Sequence, residues 1–164
     1  MTGRLDALDI RLLRAVAEHP RSGYLELSRL TGVSRVTVQA RLERMERAGV
    51  VTGYGPQVDL AAAGYPVRAV ATLEISQGAL EDVEAGLRAI PEVLDAYATT
   101  GAADVHCQLA ASSHEALQQA LLRINRIPAV SRSTSVVVLS QLVAPRYLDL
   151  LESEPRAEPA RTRH

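Results

Sequence analysis

The sequence predicts an α+β protein: a helical domain, a strand linker, and a larger domain with strands and helices in the order βαββαβ. Three features of the 164 residues indicate this. Apolar residues recur at helical spacing up to about residue 50, alternating stretches begin after Pro66, and one helix-to-strand junction occurs twice. The predicted boundaries are 1–50, 51–65, 66–145 and 146–164, the last being a short helix and a disordered tail.

Charge is unevenly distributed along the chain. The net charge is −1, but residues 1–50 contain nine Arg and six acidic residues, whereas residues 51–150 contain six Arg and ten acidic residues. A basic segment ahead of an acidic one indicates a local site for a polyanion.

The composition also argues against some classes of protein. The single Cys107 cannot form an intramolecular disulfide, and no apolar run reaches the roughly 18 residues of a membrane span. Arg4, Asp6 and Asp9 interrupt any hydrophobic signal peptide. We therefore expect a cytoplasmic protein without membrane contact.

Two helices are predicted before residue 33. The segment LDALDIRLLRAVAEHP carries Leu5, Leu8, Leu12 and Val16 on one helical face and stops at Pro20. The segment LELSRLTG fits a second, short helix. Gly32 is a typical C-terminal stop for it.

A third helix is predicted over residues 34–47. Ser34 is a good N-cap, and Val38, Leu42 and Met45 form an apolar stripe. The opposite face is polar and carries Arg35, Thr37, Gln39, Arg41 and Arg44. Two helices joined by a tight turn containing Gly describe a helix-turn-helix, winged-helix-like domain.

The polar face of the third helix has two interpretations. An arginine-rich helix face is usually only solvated, but here the turn, the N-cap and the charge asymmetry occur together, which favours DNA binding. In a helix-turn-helix, the start of the second helix meets base edges in the major groove. We assign Arg35, Thr37 and Gln39 to base edges, with Ser34 beside them. Arg41 and Arg44 are predicted to contact phosphates or to pair with Glu43 or Glu46.

The second domain is predicted from alternating strand and helix patterns. Strands are expected at 67–76, 93–100, 105–110 and 133–142, and helices at 79–90 and 114–127, the second capped by Ser113. The segments LRAIPEV and LRINRIPAV both end a helix at Ile-Pro and enter a strand at Val. Two such βαβ halves imply a ferredoxin-like sandwich with both helices on one face of an antiparallel sheet.

The other face of this sheet is then uncovered. It is predicted to carry mixed polar residues: Arg68, Thr72, Glu74, Asp95, Tyr97, Asp104, His106 and Gln108. A solvated face and a homodimer interface are equally compatible with this pattern.

Four segments of the first 64 residues carry a resemblance to a known family. They are LDxxDxxLL from Leu5, ELS from Glu26, GVSxxTVxxRLxRMExxGVVxGY from Gly32, and DLAAAG from Asp59. They resemble the N-terminal domain of the Lrp/AsnC family of leucine-responsive and asparagine-responsive regulators. The resemblance implies a nucleoid-associated transcriptional regulator that pairs through its sheets and often stacks into octamers, with the linker strands of two subunits paired with each other. A two-fold dimer would bind a pseudo-palindromic site on double-stranded DNA.

The resemblance also implies an effector site that binds a free amino acid. Thr100, Gly101 and Asp104 match the family's TGxxD turn, in which backbone N–H groups hold a carboxylate and the Asp an ammonium group. The implied residues are Thr99, Thr100, Gly101, Ala102, Ala103, Asp104 and Thr134. The alternative is a plain hairpin turn that needs Gly. Two positions depart from the family pattern: Ala103 is small, and Ala129 replaces a common Gly.

No catalytic constellation, metal site or cofactor is predicted. His19, His106, His114 and His164 have no metal-ligand spacing, and Cys107 belongs to no C-x-x-C motif. Sirohaem decarboxylases share this two-domain plan and remain the enzyme alternative, with Arg68 and His106 on the open sheet face as their basic residues. The intact third helix and the small TGAAD turn favour the regulator.

Overall fold

The structure, a computed structural model, describes residues 5–153, which form two compact units. One contains residues 5–56 and 144–153, and the other contains residues 57–143. The elements follow the predicted order: α1 Ala7–Glu18, α2 Tyr24–Thr31, α3 Arg35–Arg47, β1 Val67–Ile75, α4 Leu80–Arg88, β2 Val93–Ala98, β3 Val105–Ala111, α5 His114–Asn125, β4 Val130–Val137 and α6 Tyr147–Glu152. The predicted disordered tail beyond Ser153 lies outside the described residues.

The first unit has an aliphatic core shared by α1, α2 and α3. Its buried members are Leu8, Leu12, Ala15, Leu27, Val38, Leu42 and Met45, with Leu5 and Val16 partly buried against them, which confirms the stripes predicted for α1 and α3. Helix α6 packs against α1, where the Arg14 guanidinium contacts Glu152 at 2.9 Å and Asp149 at 3.2 Å. These carboxylates raise the pKa of Arg14 above its ordinary value. The C-terminal helix therefore belongs to the helical unit rather than to the sheet.

The helix-turn-helix forms as the local sequence predicts. Gly32 ends α2 in the left-handed conformation at φ 70°, which a glycine adopts without strain. The Ser34 hydroxyl accepts the Thr37 N–H at 3.1 Å and caps α3. A hydrogen bond from the Ser28 hydroxyl to the Val33 carbonyl at 2.7 Å stabilises the turn between α2 and α3.

The predicted strand over residues 51–65 does not form in this chain. Residues 51–59 have no regular structure, and residues 60–64 form a turn. Asp59 organises that turn, since its carboxylate accepts the N–H groups of Ala61 and Ala62 at 2.9 and 3.1 Å. A strand needs a neighbour for its N–H and C=O groups, and within the described chain no strand pairs with this segment.

The second unit is a four-stranded antiparallel sheet in the order β2-β3-β1-β4. The inward residues of the central strands are small or aliphatic and buried against α4 and α5: Ala69, Ala71, Leu73, Val105, Cys107 and Leu109. Burial raises the pKa of the Cys107 thiol to about 11, which makes it a core residue rather than a nucleophile. The fold is the predicted ferredoxin-like sandwich.

The repeated Ile-Pro junction builds the same turn twice. Ile90 and Ile127 are both buried, and their carbonyls accept the N–H groups of Val93 at 3.0 Å and Val130 at 2.9 Å. Strand β4 therefore begins at Val130, not at Ser133 as predicted. It ends at Val137 rather than 142, because its partner strand β1 starts only at Val67.

Candidate nucleic-acid interface and effector turn

The first turns of α3 place the predicted base-reading residues at the surface. Arg35 and Gln39 are exposed, and the Gln39 amide donates to the Glu43 carboxylate at 2.8 Å. Thr37 is half-buried, and its hydroxyl lies 2.9 Å from that of Ser34. Ser34 and Thr37 therefore hold the start of the helix, whereas Arg35 and Gln39 extend outward.

Arg41 and Arg44 make ion pairs, but not with the predicted acids. Arg41 pairs with Asp6 and, at 3.0 Å, with Asp9, and Arg44 pairs with Asp9 at 2.6 Å. The prediction of Glu43 or Glu46 was wrong because α1 brings its carboxylates closer to the guanidinium groups. Arg41 is 24% exposed and Arg44 43% exposed, so both retain contact with water.

Asp9 is the centre of this ion-pair cluster. Its side chain is fully buried, and its carboxylate also accepts the Asp6 N–H at 2.9 Å, which completes a capping box at the start of α1. Burial by itself would raise the pKa of Asp9, but hydrogen bonds from Arg44, the Asp6 backbone and Arg41 outweigh it and lower the pKa. Asp9 thus remains ionised and ties α3 to α1.

Sequence reasoning missed two apolar residues on the outer face of α3. Val36 is 76% exposed, and Ala40, one turn later, is also exposed. At about 100° per residue, both lie nearly opposite the buried stripe of Val38, Leu42 and Met45. Projecting every residue of the helix, rather than only the polar ones, would have found them.

The turn between β2 and β3 is a tightly bonded hairpin. The Thr99 N–H donates to the Asp104 carbonyl at 2.8 Å, and the Thr99 hydroxyl donates to the Ala103 carbonyl at 2.9 Å. Gly101 has φ 124°, which only glycine adopts readily. The Asp104 carboxylate accepts the Ile75 N–H at 2.8 Å, so one of its oxygens supports the end of β1.

The structure does not bring all the predicted effector residues together within one chain. Thr100, Gly101 and Ala102 are exposed on the hairpin, and Ala103 is half-buried. Thr134 lies on β4 opposite Thr72, on the far side of β1 from β3. Two strand spacings put it about 10 Å from β3. Ala129 causes no strain, since no described residue other than glycine has a positive φ.

Comparison with known proteins identifies both units. Residues 5–46 match the AsnC-type helix-turn-helix domain, and residues 68–148 match the Lrp/AsnC ligand binding domain. An HTH-type transcriptional regulator of Mycobacterium tuberculosis is 35% identical over 141 residues, which are 85% of this chain and 95% of that protein. The chain belongs to the Lrp/AsnC family of transcriptional regulators.

Solved structures of Lrp/AsnC proteins have the same fold. The structure of AsnC from Escherichia coli superposes with a TM-score of 0.80 at 30% identity, covering 87% of this chain and 97% of that one. A transcriptional regulator of Neisseria meningitidis, crystallised as a complex with L-Met, superposes with a TM-score of 0.78 at 28% identity over 85% and 93% of the chains.

This Lrp/AsnC regulator also has an apolar cleft beside its hairpin. The cleft has a volume of about 430 Å³ and lies between α4 and the edge strand β2. Leu80, Leu87, Leu94 and Ala98 contribute apolar surface, and the Glu84–Arg88 ion pair borders it. Ala98 immediately precedes the hairpin.

Residues 5–153 of this Lrp/AsnC regulator contain neither a candidate metal site nor a candidate membrane-spanning helix. That part of the chain contains no group of three or more His, Cys, Asp or Glu side chains placed to hold a metal ion. None of its helices combines the length and apolar character needed to cross a membrane.

Proposed function

We propose that this Lrp/AsnC regulator binds operator DNA as a homodimer through α3 and responds to an amino acid or a related small metabolite. The observation that carries the proposed DNA binding is the geometry of α3. This helix is capped by Ser34, exposes its first turn to solvent, and is tied to α1 by the buried carboxylate of Asp9. Arg35 and Gln39 contact base edges in this proposal. Arg41 and Arg44 orient the helix from their pairs with α1, and their exposed edges contact phosphates.

Replacing a base-reading residue should reduce specificity at one position of the operator. We expect Arg35→Ala or Gln39→Ala to cost roughly 1–3 kcal/mol on the preferred duplex, because a bidentate contact to one base is lost. Binding of full-length variants to a duplex selected from a random library, and to single-position variants of it, measures the effect.

Arg29→Ala is the matched control, since it removes the same charge from an exposed position on α2. It should weaken binding to all duplexes alike and leave the sequence preference intact. Equal preferences in wild type and in both α3 variants would show that α3 does not read the operator.

The homodimer is proposed from the uncovered face of the sheet. Val70 and Val136 pair across β1 and β4 on this face, and Val136 is 61% exposed. Tyr97 on β2 is 57% exposed, and the segment after β4 exposes Leu139 by 98% and Leu142 by 91%. Exposed apolar residues on the open face and in the segment after it favour burial against a second copy, and tetramers or octamers extend the same proposal.

The effector is proposed to bind at the hairpin of residues 99–104. The L-Met complex of the Neisseria relative and the exposed Thr100, Gly101 and Ala102 support this. Because Thr134 lies across β1 in its own chain, it would complete the site only from a neighbouring subunit. The cleft between α4 and β2 is the other place on this unit where a small apolar side chain fits.

Thermal unfolding with each of the twenty amino acids tests the effector proposal. We expect at least one to raise the midpoint of wild type, because a ligand bound only to the native state stabilises it. Asp104→Asn should abolish that rise, since it removes the charge that pairs with the ammonium group but still accepts the Ile75 N–H. A panel without any shift would contradict the proposal. A shift that Asp104→Asn leaves unchanged would move the site away from the hairpin.

We further infer that the protein is a regulator without enzymatic activity or cofactor and acts in the cytoplasm at the nucleoid. The residues that the sirohaem alternative needs lie apart. Arg68 pairs with Ala110 of β3, and His106 lies four residues before Ala110, so the two side chains are about 13 Å apart along the strand. Arg68 also donates to Gln108 and Gln141 at 3.3 and 3.0 Å. Incubation with sirohaem followed by mass spectrometry tests this, and loss of a carboxylate would overturn it.

A further inference from the structure

The outer face of α3 has an apolar strip where a DNA-binding helix is expected to be polar. Val36 and Ala40 form this strip, and they lie at i and i+4 on the solvent side. Val36, at 76% exposed, is among the most exposed aliphatic residues of the helical unit. A β-branched residue is also a poorer helix former than Ala, so helix stability does not explain its presence.

Charged and polar groups flank the strip on both sides. Arg35 and Gln39 lie along one side, and Thr37, Arg41 and Arg44 lie along the other. The strip borders a concavity that is lined by Asp6, Val36, Thr37, Ala40, Arg41 and Arg44. An apolar strip between guanidinium groups matches a surface whose centre has apolar groups and whose edges are anionic.

The major groove of DNA presents this arrangement where thymines lie. The 5-methyl group of thymine is the apolar feature of the groove floor, and phosphates line both edges. Small aliphatic side chains contact it without a hydrogen bond, as Ala is known to do. Protein partners with an apolar groove would not require the flanking arginines, so DNA is the occupant that the charges favour.

We propose that Val36 and Ala40 read thymine methyl groups in the operator. This deepens the proposed role of α3 and rests on its entry into the major groove. Specificity then has two parts: Arg35 and Gln39 select bases by hydrogen bonds, and the strip beside them selects T·A pairs by apolar contact.

Uracil substitution in the DNA tests this directly, because deoxyuridine pairs as thymidine does and lacks only the methyl group. A duplex is selected from a random library by the full-length protein, and each thymidine is then replaced in turn. We expect wild type to bind a duplex with uracil at a contacted position about fourfold more weakly than the unsubstituted duplex. This factor corresponds to the free energy of removing one methyl group from water.

Val36→Ala should bind the selected duplex without uracil several-fold more weakly than wild type does. Its affinity should also become insensitive to uracil at one position. Ala40→Gly should do the same at a neighbouring position. Val36→Thr keeps one methyl group and the branched shape, and should retain part of the discrimination. Since Ala is the better helix former, Val36→Ala should not lower the unfolding midpoint, which excludes misfolding as the cause.

Two outcomes would overturn the inference. One is an identical uracil profile for wild type and Val36→Ala, and the other is a loss of affinity in Val36→Ala that is equal on thymine and uracil duplexes. In both cases, a retained effect of Arg35→Ala on base preference would keep the proposed role of α3. Loss of that effect as well would mean that α3 itself had been wrongly assigned.

Discussion

Asp9→Ala is expected to lower the free energy of unfolding of the helical unit by about 3 kcal/mol. The substitution removes a fully buried carboxylate that receives Arg41 at 3.0 Å and Arg44 at 2.6 Å, and it breaks the capping box of α1. Loss of one partner from a buried pair costs about 3–5 kcal/mol. Here the two guanidinium groups retain access to water, which reduces that part, while the Asp6 N–H loses its carboxylate acceptor, which adds to the cost. Urea denaturation followed by circular dichroism measures the change.

The pH dependence of this effect has a defined sign. The folded pKa of Asp9 is lowered, so its contribution is fully present above the unfolded value of about 4 and disappears as the pH falls through the folded pKa. The difference between wild type and Asp9→Ala should therefore shrink below about pH 4.

Asp6→Ala removes the N-cap of α1 and a 25% exposed partner of Arg41 but leaves Asp9 paired with both arginines. It is the comparison and should cost less, about 1 kcal/mol. If Asp9→Ala unfolded within about 0.5 kcal/mol of wild type, the typical range of a neutral surface substitution, the cluster would not hold α3 to α1.

Val136→Glu is expected to convert the protein to a monomer and to weaken operator binding at least about a hundredfold. A charge placed opposite Val70 would be buried without a partner in the proposed interface, at a cost of several kcal/mol. Without the dimer, each recognition helix binds its half-site alone. Sedimentation equilibrium should then report the single-chain mass of 17.7 kDa.

Leu122→Glu is the matched control for the dimer. Leu122 is 41% exposed on α5, on the opposite layer of the same unit, so its replacement adds the same charge away from the open sheet face. It should leave mass and DNA binding unchanged. A Val136→Glu protein of unchanged mass would place the dimer interface elsewhere, and a monomeric wild type would remove the proposal.

Local patterns predicted the helix-turn-helix well because each of its signals lies within a few residues. The Gly32 stop, the Ser34 cap and the Val38, Leu42 and Met45 stripe depend on helical geometry alone, and all three are confirmed. The order βαββαβ could be predicted equally well, since the alternation of apolar and polar residues and the repeated Ile-Pro junction are local features. The end of β4 was misplaced because a strand stops where its neighbour stops, and that neighbour is distant in sequence.

The roles of charged side chains depended on distant partners. Arg41 and Arg44 lie close in sequence to Glu43 and Glu46 but pair with α1, because helix packing brings Asp9 within 3.0 Å of both. Asp104 was predicted from its motif as a ligand for ammonium, yet one of its oxygens already accepts the Ile75 N–H. Side-chain hydrogen bonds are directional and short, so one-dimensional spacing cannot choose among several acids within reach.

The sequence by itself determined which segments are helices and strands, which of their faces are apolar, and that the chain belongs among the Lrp/AsnC regulators, because periodicity and short motifs are properties of neighbouring residues. Only the tertiary structure decided that Asp9 holds α3, that Val36 and Ala40 lie at the centre of the outer face of α3, and that residues 51–59 pair with no strand within residues 5–153. Ion pairing, exposure and strand pairing depend on which distant segments meet, and only packing in three dimensions settles that.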